Sequence, residues 1–470
     1  MAKRLHLSGL IFGLFSLASM PVSALDLLQI YRDAQNNDST YAAARAQAAA
    51  SREKYPQGRA GLLPVVNYTA SKTRVNTTTD YDTHTQALTL TQPLFRWANW
   101  ESFEQGKLQA AQAETVFAQA GADLIVRVAQ AYFDVLAAQD TIAFIEAQQS
   151  AITQQLEQAK RNFEVGTATV TDQQEAQARY DLAVAQEIAA RADLENKRNA
   201  LRLIVGKPVN DLRPLPTKVV LSGPQPANAE PWVKSAEENN YAVMIQQFNQ
   251  KIAEHEIGKA RGGHLPTLDL TASRNKNYQS FNSLTGTDSN TTSTQIGVQL
   301  TVPLFAGGGT QSHVRETIAL EDKAQQDLES ARRNAAQTAL QSFAGVQSGL
   351  AQVRALEAAE KSSQLALESN KLGYEVGVRI NIDVLNAQQQ LFQTQRDLAK
   401  ARYDTLINGL KLKASNATLS DEDVEAINRL LESGTSSALP LPPRRKEALK
   451  LKADFSIAPT SVALRHDAAD

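Results

Sequence analysis

The chain of 470 residues contains no cysteine, so we expect neither a disulfide framework nor a cysteine-borne lipid anchor. Aromatic residues make up only 6% of it. So few large side chains argue against a thick globular core and favour long helices packed through small residues such as alanine. Beyond the first 24 residues, no apolar run reaches the roughly 18 residues that a membrane-spanning helix needs, and we predict no such helix.

The formal net charge is only −2, which argues against a nucleic-acid binder, because such proteins usually carry a basic stripe. Motifs of zinc proteases, serine hydrolases, phosphate-binding loops and dinucleotide folds are all missing from the sequence. The histidines lack the spacing of metal ligands. We therefore predict no catalytic site, no cofactor and no metal.

The start of the chain has the pattern of a secretory signal peptide. Lys3 and Arg4 precede the apolar stretch 10–17, and Val22-Ser-Ala24 is a small-x-small cleavage site. Residues 1–24 are therefore predicted to be removed when the protein leaves the cytoplasm.

Two stretches of the chain share one unusual pattern. Residues 163–177 read FEVGTATVTDQQEAQ, and residues 374–388 read YEVGVRINIDVLNAQ. In each, a glycine (Gly166 or Gly377) suits the left-handed position that ends a helix. The Thr, Asn and Asp residues that follow suit the cap or first turn of a new helix. Both stretches are predicted to be helix-hairpin turns, at about 163–172 and 374–383.

The doubling continues elsewhere in the chain. GRAGLLPVVNYTAS (58–71) parallels KARGGHLPTLDLTAS (259–273), and LTLTQPLF (88–95) parallels VQLTVPLF (298–305). We predict tandem copies of one unit, in the order helix, strand, strand, long helix, glycine break, helix. The predicted domains are a first repeat over 25–206, a Pro-rich linker over 207–231, a second repeat over 232–414, and a C-terminal segment over 415–470 with a disordered tail.

Four segments alternate apolar and polar residues as strands do, at about 64–72, 85–95, 266–274 and 294–305. This alternation fits a soluble sheet with one face on a core and equally a membrane β-barrel with its apolar face on lipid. No helix with a broad bulky stripe remains to cover the apolar faces, which favours the barrel. Because closed barrels need about eight strands or more, several chains would have to share one.

Aromatic residues follow these strands where a membrane-interface girdle would lie. They are Phe95, Trp97, Trp100 and Phe305. Packing at a strand-to-helix corner is the alternative for any one of them.

The region from about 97 to 163 contains no proline and repeats apolar residues at alternating spacings of four and three. This is a coiled-coil seam, and such a helix would be about 100 Å long. The matching run over about 310–374 has a weaker seam. A cytoskeletal-type rod is the alternative, which the signal peptide and the strands disfavour.

The repeats, the phrases GHLPTLDLTAS and VPLFAGG, and the YEVG…D break resemble the TolC family of outer-membrane efflux channels. The resemblance implies an α+β membrane protein with long antiparallel coiled-coil helices and four transmembrane β-strands per chain. It further implies a homotrimer with one twelve-stranded barrel and an α-helical periplasmic tunnel. Such a channel would be the passive exit duct of a tripartite efflux pump or type I secretion system. Its partners would be outer-membrane lipid, a periplasmic adaptor and an inner-membrane RND or ABC transporter.

The same resemblance implies roles for residues near the two turns. Tyr374 and Arg379 match residues that hold the entrance closed by bonding to a Thr-Asp pair, here Thr171 and Asp172. The alternative for Arg379 and Asp172 is that they are ordinary solvated charges at helix ends. Opening would require these charge-assisted bonds to break.

Asp383 matches the first of two acidic positions that line the constriction, and Asn386 stands at the second. That departure halves the charge of the implied ring, so strong cation selectivity is not expected to carry over unchanged. The implied adaptor-docking surface lies at the two turns and comprises Val165, Gly166, Thr167, Val376, Gly377 and Val378.

Two functions without a channel remain alternatives. A periplasmic adaptor would have β-rich modules flanking its helical hairpin, and none is visible in the sequence. A structural coiled coil would lack the paired strands in both repeats.

Overall fold

The computed structural model describes residues 25–76, 80–167, 169–209, 211–216, 219–280 and 286–432. The predicted signal peptide and the predicted disordered tail lie outside these residues. The helices of the described part are α1 Leu27–Asn37, α2 Ser39–Arg52, α3 Lys54–Ala60, α4 Trp97–Glu164, α5 Val170–Val205, α6 Glu230–Asn239, α7 Tyr241–Gly262, α8 Gly309–Glu375, α9 Asn381–Ser415 and α10 Asp421–Glu432. The strands are β1 Val65–Val75, β2 Tyr81–Phe95, β3 Thr267–Gln279 and β4 Ser289–Thr301.

The four strands form one antiparallel sheet in the order β1-β2-β3-β4. The two repeats meet at its centre, where β2 pairs with β3. The register between β2 and β3 shifts between Pro93 and Phe95, because proline has no N–H to donate to the ladder. Strands β1 and β4 are the edges, and each pairs on one side only within the chain.

One face of the sheet carries an apolar row that crosses all four strands. Val66 lies opposite Leu90, Leu90 opposite Ala272, and Ala272 opposite Ile296, so one apolar row crosses all four strands. The neighbouring row of Asn67, Thr89, Ser273 and Gln295 points to the other side and is polar. Val66 and Ile296 are exposed, so the described residues of one chain leave this apolar row uncovered at the edges of the sheet.

The strands extend further into the polar loops than the alternation predicts. β2 begins at Tyr81 and β3 continues to Gln279, because threonine-rich segments suit an extended backbone even where both faces are polar. β4 ends earlier than predicted, at Thr301, two residues before Pro303, which would interrupt the ladder.

The two longest helices are α4, with 68 residues, and α8, with 67. Each is therefore about 100 Å long. Helix α5 packs on the C-terminal half of α4, and α9 packs on α8. Each repeat therefore contains one helical hairpin. None of the helices in the described ranges is both long enough and apolar enough to cross a membrane.

The largest apolar core lies around the middle of α4, away from the hairpin turns. Tyr132 and Phe133 are fully buried there against α1, the end of α5, α9 and α10. Helix α10, which the sequence analysis did not predict, contributes Val424 and Leu431 to this core. This core holds together the ends of both hairpins that lie away from the turns. Near the turns, the helices pack through smaller apolar clusters.

Candidate functional site

The candidate site lies at the turns of the two hairpins. In the first, α4 ends at Glu164 and α5 begins at Val170, and in the second, α8 ends at Glu375 and α9 begins at Asn381. Gly166 has φ +77° and Gly377 has φ +81°, a backbone conformation that strongly favours glycine. The prediction of a helix, a glycine stop and a new helix in both places is confirmed.

The first turn is closed by a complete capping box. The Thr169 hydroxyl accepts from the backbone N–H of Asp172 at 3.2 Å, and the Asp172 carboxylate accepts from the N–H of Thr169 at 3.0 Å. Each group thus satisfies a donor that the helix start leaves open. The cap is Thr169, while Thr171 is an exposed residue of the first helical turn.

The second turn has a less complete set of partners. Its cap residue, Ile380, provides no side-chain hydrogen bond. The buried Asn381 accepts a hydrogen bond through Oδ1 from the Gln155 amide of α4, while its Nδ2 is buried without a partner. Asp383 lies in the first turn of α9, with its carboxylate 3.7 Å from the Arg379 guanidinium.

The predicted gate residues lie close to the turns, but they make other contacts within one protomer. The Tyr374 hydroxyl accepts from Asn162 Nδ2 at 3.2 Å, Arg379 pairs with Asp383, and Asp172 caps Thr169. Among the described residues, no hydrogen bond or ion pair joins Tyr374 or Arg379 to Thr171 or Asp172 within the chain. The predicted closing bonds therefore stay a prediction about the assembled protein.

Asn386, the second predicted constriction residue, is held from the other hairpin. Arg179 of α5 donates through Nη2 to Asn386 Oδ1 at 2.9 Å and through Nη1 to Gln389 Oε1 at 2.5 Å. Beside this contact, Leu385 of α9 is buried in a cluster with Ala176 of α5 and residues of α4. Leu385 and Arg179 thus join the second hairpin to the first near the turns, in addition to the contacts of Asn381 and Tyr374 with α4.

The sequence analysis missed Arg179, Asn162 and Gln155. Each makes its contact with a residue of the other repeat more than 200 positions away. In runs rich in alanine and glutamine these side chains have no motif of their own. A usable signal was the pair of amides at Asn386 and Gln389, which lie on one helix face at i and i+3.

The residues of the predicted docking surface are open to solvent at both turns. Val165 is 72% exposed, Val376 65% and Val378 76%. Gly166, Thr167 and Gly377 lie between or beside these valines and are also exposed. Apolar side chains this open at a helix tip favour a contact with another protein.

The predicted interface aromatics lie where the strands lead into helices. Phe95 ends β2, and Trp97 and Trp100 begin α4. Phe305, after β4, is 89% exposed. Between them, Arg96 forms two hydrogen bonds with the buried Asp269 of β3, at 2.8 and 2.6 Å, which ties the start of α4 to the sheet.

The chain matches the family model described as "Outer membrane efflux protein" over residues 30–207 and 232–417. The chain belongs to the outer membrane efflux protein family. This family consists of passive outer-membrane channels, so the chain is an exit channel and not an enzyme. Family membership also excludes the two predicted alternatives, a periplasmic adaptor and a structural coiled coil. It places this efflux protein in the outer membrane, extending into the periplasm.

Relatives of known name align with this chain over most of its length. The outer membrane protein TolC of Vibrio cholerae is 34% identical over 87% of this chain and 94% of that protein. The alkaline protease secretion protein AprF of Pseudomonas aeruginosa is 32% identical over 88% and 89%. The crystal structure of VceC from Vibrio cholerae has a TM-score of 0.72 at 18% identity and covers 83% of this chain and 96% of that one. At that identity the likeness concerns the fold alone.

Proposed function

We propose that three copies of this efflux protein assemble into one duct, with each chain giving four strands to a twelve-stranded barrel. The apolar row that crosses all four strands, together with the two open edges of the sheet, carries this proposal. A barrel of several chains removes both edges at once. It also places the apolar row of Val66, Leu90, Ala272 and Ile296 against lipid and the polar row against water.

The long helices then form the periplasmic tunnel, and the two turns form its entrance. In the resting state Tyr374 and Arg379 bond to Thr171 and Asp172 and keep the entrance closed. Arg379 is suited to such a change of partner, because its pair with Asp383 is long, at 3.7 Å, and largely exposed. Exposed pairs of this kind contribute little free energy. Asp383 and Asn386 form the constriction above these bonds.

The channel opens when an adaptor and an energised inner-membrane transporter, of the RND or ABC type, engage its tip. The exposed valines at both turns support the docking surface proposed for the adaptor. Relatives include proteins named for protease secretion and one named as an efflux protein. Both kinds of inner-membrane partner are therefore consistent with this duct.

Single-channel current in a planar lipid bilayer tests the pore and the gate together. The full-length mature protein is compared with a Tyr374→Phe plus Arg379→Ser double variant. Loss of the closing bonds should raise the conductance about threefold or more, since the entrance limits the current. Arg333→Ser is the control, because Arg333 lies on the same helix as Tyr374, away from the turn, and pairs with Glu329 of its own helix.

Equal conductance of the double variant and the wild type would place the gate at other residues and keep the channel. A well-folded oligomer that forms no pore would overturn the assembly proposed here.

A further inference from the structure

Arg179 is a charged residue near the entrance to which the gate proposed above gives no role. It lies about two helical turns along α5 from Asp172. Its guanidinium donates to two amide oxygens on α9, Asn386 Oδ1 and Gln389 Oε1. Because these acceptors are three residues apart, they lie on one face of α9 and match the two arms of the guanidinium.

The contact joins two elements that belong to different hairpins. Close to the turns, the other polar contacts that the described residues make between the hairpins are those of Gln155 with Asn381 and of Asn162 with Tyr374. Both of these use neutral groups. Arg179 contributes a charged donor, and hydrogen bonds with one charged partner are stronger than neutral ones. The hydrogen bonds of Arg179 are therefore the strongest of these three polar contacts between the hairpins.

The charge of Arg179 is not balanced where it lies. Both of its acceptors are neutral amides, and within the described residues no carboxylate lies within ion-pair distance of it. The one carboxylate of the predicted constriction, Asp383, is already paired with Arg379. Arg179 itself is only partly buried, so its charge can act on ions at the entrance.

We propose that Arg179 both helps to close the entrance and sets its charge preference. As a clamp it holds α9 of the second hairpin on α5 of the first, and opening must break it. As a cation without an ion-pair partner among the described residues, repeated in each protomer, it reduces the preference of the entrance for cations. The inference rests on the proposed function, since it concerns the gate and constriction of that channel.

Three variants of the full-length mature protein, measured in a planar bilayer under a KCl gradient, separate the two roles. Arg179→Ala removes clamp and charge, so the conductance should rise about threefold, as expected for loss of a partly exposed charged link. Its reversal potential should also move towards the potassium equilibrium potential. Arg179→Lys keeps the charge but loses the two-armed geometry, so its conductance should rise while its reversal potential stays at the wild-type value.

Arg191→Ala is the matched control. Arg191 is also on α5, but it bonds to Glu146 and Glu187 within the first hairpin. We expect wild-type conductance and reversal potential for this variant. An equal effect of Arg191→Ala and Arg179→Ala would overturn the assignment to Arg179.

Two further outcomes would also overturn it. One is an Arg179→Ala pore with both wild-type values, measured on protein that still runs as the wild-type oligomer. The other is an Arg179→Ala pore whose conductance rises while its reversal potential stays at the wild-type value. Arg179 would then hold the hairpins together without affecting ion selectivity. If Arg179→Ala does not assemble, Arg179→Gln replaces it, with the same expected results. A wild-type protein that forms no pore would instead overturn the proposed function itself.

Discussion

Asp140 is a half-buried acid far from the entrance, on the α4 face that packs against α9. Its carboxylate accepts a hydrogen bond from the Tyr403 hydroxyl at 2.6 Å, and the Tyr403 ring stacks on Phe133 with 5.4 Å between centroids. Burial raises the pKa of Asp140 to about 6, although the hydrogen bond from Tyr403 lowers it in part. The folded protein thus binds a proton here more tightly than the unfolded chain.

The raised pKa of Asp140 predicts a pH dependence of stability with a definite sign. Between about pH 6 and pH 4 the folded state is protonated at Asp140 while the unfolded state, with a pKa near 3.9, is ionised. This group therefore stabilises the fold as the pH falls through that window. Asp140→Asn keeps an acceptor for Tyr403 and removes the half-buried charge. We expect it to be more stable than wild type at pH 8, by about 1–2 kcal/mol.

Thermal unfolding of the wild type and Asp140→Asn, followed by circular dichroism from pH 4 to pH 8, measures this effect. The advantage of the variant should shrink as the pH falls. Tyr403→Phe is the control in the opposite direction, because it leaves the half-buried carboxylate without its donor and should cost about 1 kcal/mol or more at pH 8. A pH-independent difference between wild type and Asp140→Asn would contradict the assigned cause.

At the scale of elements, helix α3 approaches α4 through two glycines. A Cβ added at Gly106 of α4 would lie 2.5 Å from the backbone carbonyl oxygen of Lys54, and one at Gly58 of α3 would lie 3.0 Å from that of Ser102. Both obstacles are backbone atoms, which cannot rotate away as a side chain can. This close contact holds α3 against the N-terminal part of α4, and α3 leads directly into β1.

Gly106→Ala should therefore destabilise the protein by about 1–3 kcal/mol, because α3 must move outward to admit the methyl group. Gly121→Ala on the same helix is the matched control, since nothing lies within 4 Å of its added Cβ. There, alanine should be neutral or stabilising by about 0.5–1 kcal/mol. The measurement is the midpoint of thermal unfolding, and equal effects of the two variants would show that the close contact does not matter.

The sequence predicts a structural element well when the residues that determine it are close together in the chain. The breaks at Gly166 and Gly377 follow from the residues themselves, because a left-handed backbone strongly favours glycine, and both are found. The extent of β2 and β3 and the existence of α10 depend on pairing and packing partners far along the chain, and these were not predicted. The contact of Arg179 with Asn386 depends on how two hairpins sit together, which no local pattern contains.

At the scale of the whole molecule, the proposed trimer requires β1 of one protomer to pair with β4 of the next. The lack of cysteine makes a clean test possible. Thr69→Cys in β1 is combined in turn with Ser293→Cys, Gln295→Cys or Gly297→Cys in β4, and membranes are then oxidised. At least one combination should give covalent dimers and trimers on a denaturing gel, and nothing larger, because three protomers close the ring.

Each of these cysteines alone should give no covalent trimer, because the contact joins two different edges. The combination that reacts best also reports the register between protomers. Bands above the trimer, or no cross-link with any combination, would contradict the twelve-stranded barrel.

The two turns differ in how well their polar groups are satisfied, and this difference has a mechanical consequence. The first turn has its complete capping box, whereas the second has a cap without a side-chain bond and the unpartnered Nδ2 of Asn381. An unsatisfied buried donor costs about 1–3 kcal/mol, which contact with water would recover. When the two turns separate, the second hairpin therefore loses less stabilising free energy than the first. In the proposed opening of the channel, we therefore expect the second hairpin to move and the first hairpin to stay in place.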